Sequence, residues 1–119
     1  MDELILKIEQ WMRDKGITRE NGVTVVTQYG KMREEVAELG DALNNMLNHS
    51  WDVEKAEENA NHVDLELGDV VVTAIILAKL HGTDIRTCLS KTFAKIENRK
   101  GKIIKGTFVK EEDLGDEEV

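Results

Sequence analysis

Apolar residues in this chain recur at intervals of three and four and not of two, so the pattern predicts helices throughout. Leu4, Ile5, Ile8, Trp11 and Met12 lay out a first amphipathic helix that Gly16 can close. The stretch from Ile17 to Gly22, with its Asn-Gly dipeptide, reads as a connection. A second helix begins between Val23 and Thr27, where β-branched residues blur the boundary, and runs to about Asn48. Ser50 or Asp52 is placed to cap a third helix that continues to Leu80 and stops at His81-Gly82. Thr83 then caps a fourth, with Ile85, Leu89, Phe93 and Ile96 on its apolar side, which fades near Gly101. Four helices with short connections make an all-α antiparallel bundle the expected architecture.

The third helix departs from simple amphipathicity. Between Val70 and Ala78 only Thr73 is polar, so that segment is apolar nearly all the way round. A small bundle buries one side of each helix, and the other side stays exposed and apolar unless a second subunit covers it. A homo-oligomer with helix three at its interface is therefore expected; the alternative is a central helix wrapped by its own chain. The run is about half of the ~20 residues that cross a bilayer, so it reads as a buried segment and not as a membrane span.

Composition narrows the class. A chain of 119 residues with no proline, 4% aromatic residues, no repeat and no low-complexity linker suits one domain, expected over residues 1–110 with an acidic tail over 111–119. The formal net charge is -8, but Glu111, Glu112, Asp113, Asp116, Glu117 and Glu118 concentrate much of it in the tail, leaving the body close to neutral. That balance argues against nucleic acid as a partner, and the tail reads as a solvated end. The single Cys88 cannot form an internal bridge, no spacing suggests a zinc knuckle, and the N-terminus lacks a signal-peptide pattern. A reducing, cytoplasmic setting is expected.

The candidate chemistry lies in acids at helical spacing. Met32, Val36, Leu39, Leu43, Met46 and Leu47 form the apolar stripe of helix two, with Glu35 at its edge between Gln28 and Ala42, and Glu38 about 60° further round. Glu34 and Asp41 fall away from the stripe and are expected in solvent. On helix three, Glu66 and Asp69 share a face with Asn59 and His62 on one side and Thr73, Ile76, Leu77 and Leu80 on the other. Four carboxylates facing one cleft repel one another unless a cation sits between them. Oxygen-only ligands select a hard divalent cation, Mg²⁺ first and Mn²⁺ as its substitute. Taken by spacing alone, the same acids also fit an ordinary solvated helix surface. A carboxylate-bridged di-iron centre is set aside because it wants Glu-x-x-His pairs, and His62 reads as a structural histidine.

Lys91, Lys95, Asn98, Arg99 and Lys102 recur at helical spacing along helix four, a face that is either simply solvated or complementary to polyphosphate. Walls for a nucleobase could come from Trp11, Gln28, Tyr29, Trp51 or Asn59, and the pattern does not choose among them; the two tryptophans equally fit packing roles.

With those residues in view, the chain resembles the MazG family of all-α nucleoside triphosphate pyrophosphohydrolases. The likeness rests on Glu35-x-x-Glu38 within KMREEVAEL, Glu66-x-x-Asp69 within LELGDVVVTAIILAKLHG, and the downstream KTFAKIENRKG and GTFVKEEDL, over roughly residues 24 to 113. The resemblance implies a four-helix MazG-type bundle, dimers or tetramers, and hydrolysis of an NTP or dNTP to the monophosphate and pyrophosphate. It implies Mg²⁺ held by Glu35, Glu38, Glu66 and Asp69, with Glu35 and Glu38 as catalytic candidates. It further implies phosphate contacts from Lys31, Lys95 and Arg99, base or sugar contacts from Gln28 and Asn98, and a role in clearing unwanted nucleotides. One departure is Phe93, where many relatives carry asparagine two residues after the lysine matching Lys91. Two alternatives stand beside this reading: phosphoribosyl-ATP pyrophosphatase, whose helix after the aspartate differs from Val70-Val71-Val72, and a helical oligomer that binds a nucleotide or a partner without turnover.

Overall fold

Local chemistry sets the helix boundaries. In the computed structural model, which describes residues 2–115, helix α2 (Val25–Asn48) starts from a capping box at Thr24. The Thr24 hydroxyl accepts from the Thr27 N–H, and the Thr27 hydroxyl accepts from the Thr24 N–H. Helices α1 (Asp2–Asp14) and α3 (Val53–Leu80) close identically. Gly16 (φ 72°) and Gly82 (φ 88°) take the left-handed conformation just past each helix. Backbone N–H groups of Gly16 and Ile17 then reach the carbonyls of Arg13 and Met12, and those of Gly82 and Thr83 reach Lys79 and Ala78. Asp52 occupies the N-cap position of α3, but its side chain makes no capping bond.

By its contacts the chain divides into two compact units, Met1–Ile85 and Arg86–Val119. In the first, α2 and α3 form an antiparallel pair. The buried residues of α2 are Gln28, Glu35 and Ala42, each two turns from the next along one line. On α3 the buried Asn59, Thr73 and Leu80, with half-buried Glu66 between them, repeat at the same two-turn interval. The Gln28 amide donates to the Thr73 carbonyl (3.3 Å) at one end of this seam, and the Asn45 amide donates to Asn59 Oδ1 (3.2 Å) toward the other. Glu35 and Glu66 meet between these rungs.

The seam corrects the expectation for helix two. Of the apolar stripe, Met32, Leu39 and Met46 are half-buried, but Val36, Leu43 and Leu47 are 49%, 37% and 64% exposed, and the buried line that faces α3 carries Gln28 and Glu35. A helical wheel shows which residues share a face, but not which face a neighbour covers. On α3, Thr73, Ile75, Ile76 and Ala78 are buried within the single chain, whereas Leu65, Leu67 and Val71 remain about half exposed or more.

Helix α1 lies against α3. Met12 packs with Ile76 and Leu80, and Ile17, Val23 and Val72 close around them. The connection after α1 folds over the C-terminal end of α3, where the Arg19 guanidinium donates to the Leu80 carbonyl. Since α1 leads into that connection, it runs parallel to α3.

In the second unit, α4 (Ile85–Ile96) ends well short of Gly101. Strands β1 (Gly101–Ile104) and β2 (Thr107–Lys110) follow and pair antiparallel, Ile103 opposite Phe108, around a two-residue turn at Lys105 (φ 51°) and Gly106 (φ 80°). Two positive φ values mark the turn type whose twist suits a hairpin. The expected basic stripe on helix four is broken up as a result: Lys91 and Lys95 lie on α4, Asn98 and Arg99 beyond its end, and Lys102 on β1. Of the acidic tail, Glu111–Asp113 form a short 3₁₀ turn in which Lys110 pairs with Glu112 (3.3 Å) and Asp113 (3.7 Å); residues 116–119 lie outside the described residues. Among the described residues, no helix is long and apolar enough to cross a membrane.

Candidate functional site

Midway along the α2/α3 seam, carboxylate oxygens of Glu35, Glu38 and Glu66 come within 4.8 Å of one another. Glu35 is buried because the seam places it opposite α3; Glu38, one turn on, lies at the exposed rim; Glu66 is half-buried. Glu35 and Glu66 are held alike. Each commits Oε1 to a basic partner one turn earlier on its own helix: Lys31 Nζ at 3.1 Å from Glu35 and His62 Nε2 at 3.2 Å from Glu66. In each, Oε2 is buried with no hydrogen-bond partner.

Electrostatics follow from this crowding. The Glu38 carboxyl is held above the ordinary range, first by its hydrogen bond to Glu35 and the charge of that neighbour, then by desolvation and the negative charges of Glu66 and Glu34. The Lys31 ammonium is pushed up, chiefly by its hydrogen bond to Glu35, with Glu34 (3.6 Å), Glu35 and Glu38 adding charge. Two buried, orphaned carboxylate oxygens and a third acid beside them form an all-oxygen donor set, which suits a hard divalent cation. Leaving such oxygens desolvated without a positive partner is unfavourable, and a cation supplies that partner.

The other residues singled out in the sequence are placed as follows. Asp69, one turn after Glu66, is exposed and stands outside the group within 4.8 Å. Glu34 is exposed, as the wheel predicts, with its carboxylate on Lys31. Gln28 is buried with its amide committed to Thr73, and Asn59 is buried against Asn45. Trp11, Tyr29 and Trp51 are largely exposed, with the Arg33 guanidinium 6.0 Å from the Tyr29 ring centre. In the second unit, Lys95, Asn98 and Arg99 line an open concavity together with Lys100, Lys110, Glu111 and Glu112. Phe93 is 60% exposed, so the packing role its wheel position suggests is not seen in the single chain. Glu9 of α1 is a further buried acid, and the signal for it in the sequence is its place in the apolar series Ile5, Glu9, Met12.

Neither a curated protein nor a solved structure matches the chain. The family model of the MazG nucleotide pyrophosphohydrolase domain matches residues 24–104, from the Thr24 cap of α2 to the end of β1. That span takes in the whole α2/α3 seam with its three carboxylates. Since it also covers most of the chain, the protein belongs to the MazG nucleotide pyrophosphohydrolase family.

Proposed function

We propose that the protein hydrolyses a nucleoside triphosphate, ribo- or deoxyribo-, to the monophosphate and pyrophosphate, and so clears surplus or non-canonical nucleotides from the cytoplasm. The observation that carries this reading is the pair of orphaned buried oxygens on Glu35 and Glu66, with Glu38 beside them, in a member of a nucleotide pyrophosphohydrolase family. Glu35, Glu38 and Glu66 would hold Mg²⁺, or Mn²⁺ in its place, and Asp69 joins them from the next turn of α3. When bound, the cation offsets phosphate charge and makes water a better nucleophile.

The chain's own groups divide the remaining work. Water attacks the α-phosphorus, the bond from that phosphorus to the α–β bridging oxygen breaks, and pyrophosphate leaves. The proton from water passes to Glu38, which lies exposed at the rim of the cluster. Lys31 exchanges its Glu35 partner for a phosphate oxygen. Lys95 and Arg99 are assigned to phosphate, and Gln28 and Asn98 to sugar or base, on the family resemblance.

The test is pyrophosphate release from a panel of NTPs, dNTPs and modified nucleotides with Mg²⁺, with Glu38→Gln as the blank. Pyrophosphate and monophosphate from at least one triphosphate, and none from the blank, is the expected result. Silence across the panel from folded protein overturns the reading and turns attention to phosphoribosyl-ATP or to binding without turnover.

The proposed assembly is a homodimer or homotetramer. Its support is the apolar surface left open on both long helices, at Val26, Leu43 and Leu47 of α2 and at Leu65, Leu67 and Val71 of α3. Leu47→Glu is expected to lower the mass measured by light scattering while leaving the helical circular dichroism unchanged. A parent protein that already runs as a single chain would count against the assembly.

A further inference from the structure

Among the described residues, three carboxylate oxygens are buried without a hydrogen-bond partner, and only two of them belong to the cluster on α2 and α3. The third is Oε2 of Glu9, a residue 4% exposed on the face of α1 between Ile5 and Met12. Among the described residues Glu9 has no partner to offset its burial, unlike Glu35, which pairs with Lys31, and Glu66, which is hydrogen-bonded to His62. Apolar packing at that position would be satisfied by leucine or methionine, and a desolvated acceptor with nothing to accept is costly.

Its position along the fold is informative. Met12 packs with Ile76 and Leu80, and α1 runs parallel to α3. One turn back along α1 from Met12 therefore carries Glu9 back along α3 toward the level of Thr73, the rung shared with Gln28. Thr73 lies two turns along α3 from Glu66, about 10 Å at 1.5 Å per residue. The sugar and base of a nucleotide span a comparable length beyond the α-phosphate.

We propose that Glu9 is the base-reading residue of the site, and that its carboxylate accepts the paired N–H donors of a 2-amino-6-oxopurine, the guanine-type edge. This deepens the pyrophosphohydrolase reading above and rests on it. Guanine sets a ring N–H and an amino N–H side by side, which matches the two acceptors of a carboxylate. Adenine and cytosine place an acceptor next to their amino group, which a carboxylate repels. Uracil and thymine offer one N–H flanked by carbonyl oxygens. A buried, unpaired acceptor also discriminates strongly, because a base without the donors leaves it unsatisfied.

The experiment compares kcat/KM for GTP, ITP, ATP, CTP and UTP, and for their deoxy forms, in the parent, Glu9→Gln and Glu9→Leu, together with melting temperatures. In the parent the guanine nucleotide is expected to lead, with the inosine nucleotide behind it because it lacks the 2-amino donor. Both variants should still release pyrophosphate, with the guanine-to-adenine ratio reduced roughly tenfold to hundredfold, the range of a lost bidentate base contact. Glu9→Leu should also raise the melting temperature, since it removes a buried polar group whose Oε2 has no hydrogen-bond partner; a purely structural acid would lower it.

A parent without guanine preference, or a ratio unmoved in both variants, overturns the assignment of Glu9 and leaves the activity standing. A parent that hydrolyses no triphosphate fails the activity itself, and the base assignment with it. The guanine-against-inosine comparison uses unaltered protein, so the proposal can fail even if neither variant folds.

Discussion

Glu35→Gln lowers pyrophosphate release by at least about a hundredfold, the scale on which a preorganised electrostatic group contributes to a transition state. The amide keeps the size of the side chain but brings a neutral N–H₂ group into a place where a buried, unpartnered carboxylate oxygen now lies. It also severs the ion pair with Lys31 at 3.1 Å. Glu66→Gln should do the same from α3, because its Oε2 is orphaned in the same way. Glu34→Gln is the control. Its carboxylate is exposed and touches only the other side of Lys31, at 3.6 Å, so turnover should stay near the parent rate. Steady-state assays on the three purified variants, checked for folding by circular dichroism, decide the matter. Equal losses at Glu34 and Glu35 would show that general negative charge matters and the buried oxygen does not.

The second large effect is on stability. Without a cation, the carboxylate cluster opposes folding most strongly when all of its members are ionised. Glu38 holds its proton more tightly in the folded chain than in the unfolded one. Stability from that source is therefore greatest when Glu38 is protonated, and is lost as pH rises through its raised value. Metal reverses the trend, because a ligating carboxylate must be ionised. At neutral pH, Mg²⁺ at about 100 times its Kd should add about 2.7 kcal/mol, or roughly 10 °C in Tm. The gain should shrink in acid and vanish in Glu66→Gln. Thermal melts at two pH values with and without Mg²⁺ check all three statements, and an equal Mg²⁺ response in Glu66→Gln would rule out the cluster as the metal site.

Much of this arrangement is legible in residue spacing. The helical wheel puts Glu35 between Gln28 and Ala42, and those three residues form the buried line of α2. It also puts Asn59, Glu66 and Thr73 on one strip of α3, which is the partner line. The grouping of Glu35, Glu38 and Glu66 follows once the two lines meet. The meeting itself was not legible, because the apolar stripe of α2 joins the half-buried Met32, Leu39 and Met46 to the exposed Val36, Leu43 and Leu47, and only tertiary packing shows that the polar line faces α3. Strands of four residues are too short for an alternating pattern to stand out against helical spacing, so the hairpin went unseen. Glu9 was hidden for a different reason: a single acid in an apolar series looks like a boundary residue until its burial is known.

The polar rungs between α2 and α3 act as an alignment key. Apolar helix pairs tolerate sliding, since one leucine replaces another, but here Gln28 must find a carbonyl and Asn45 must find Asn59. A slip of two turns would shift Glu35 about 10 Å from Glu66, too far for a single ion to bridge. Affinity for the proposed cation is then a report on helix alignment, and a nascent or damaged chain that has packed out of register would retain its helices while losing the means to hold that ion.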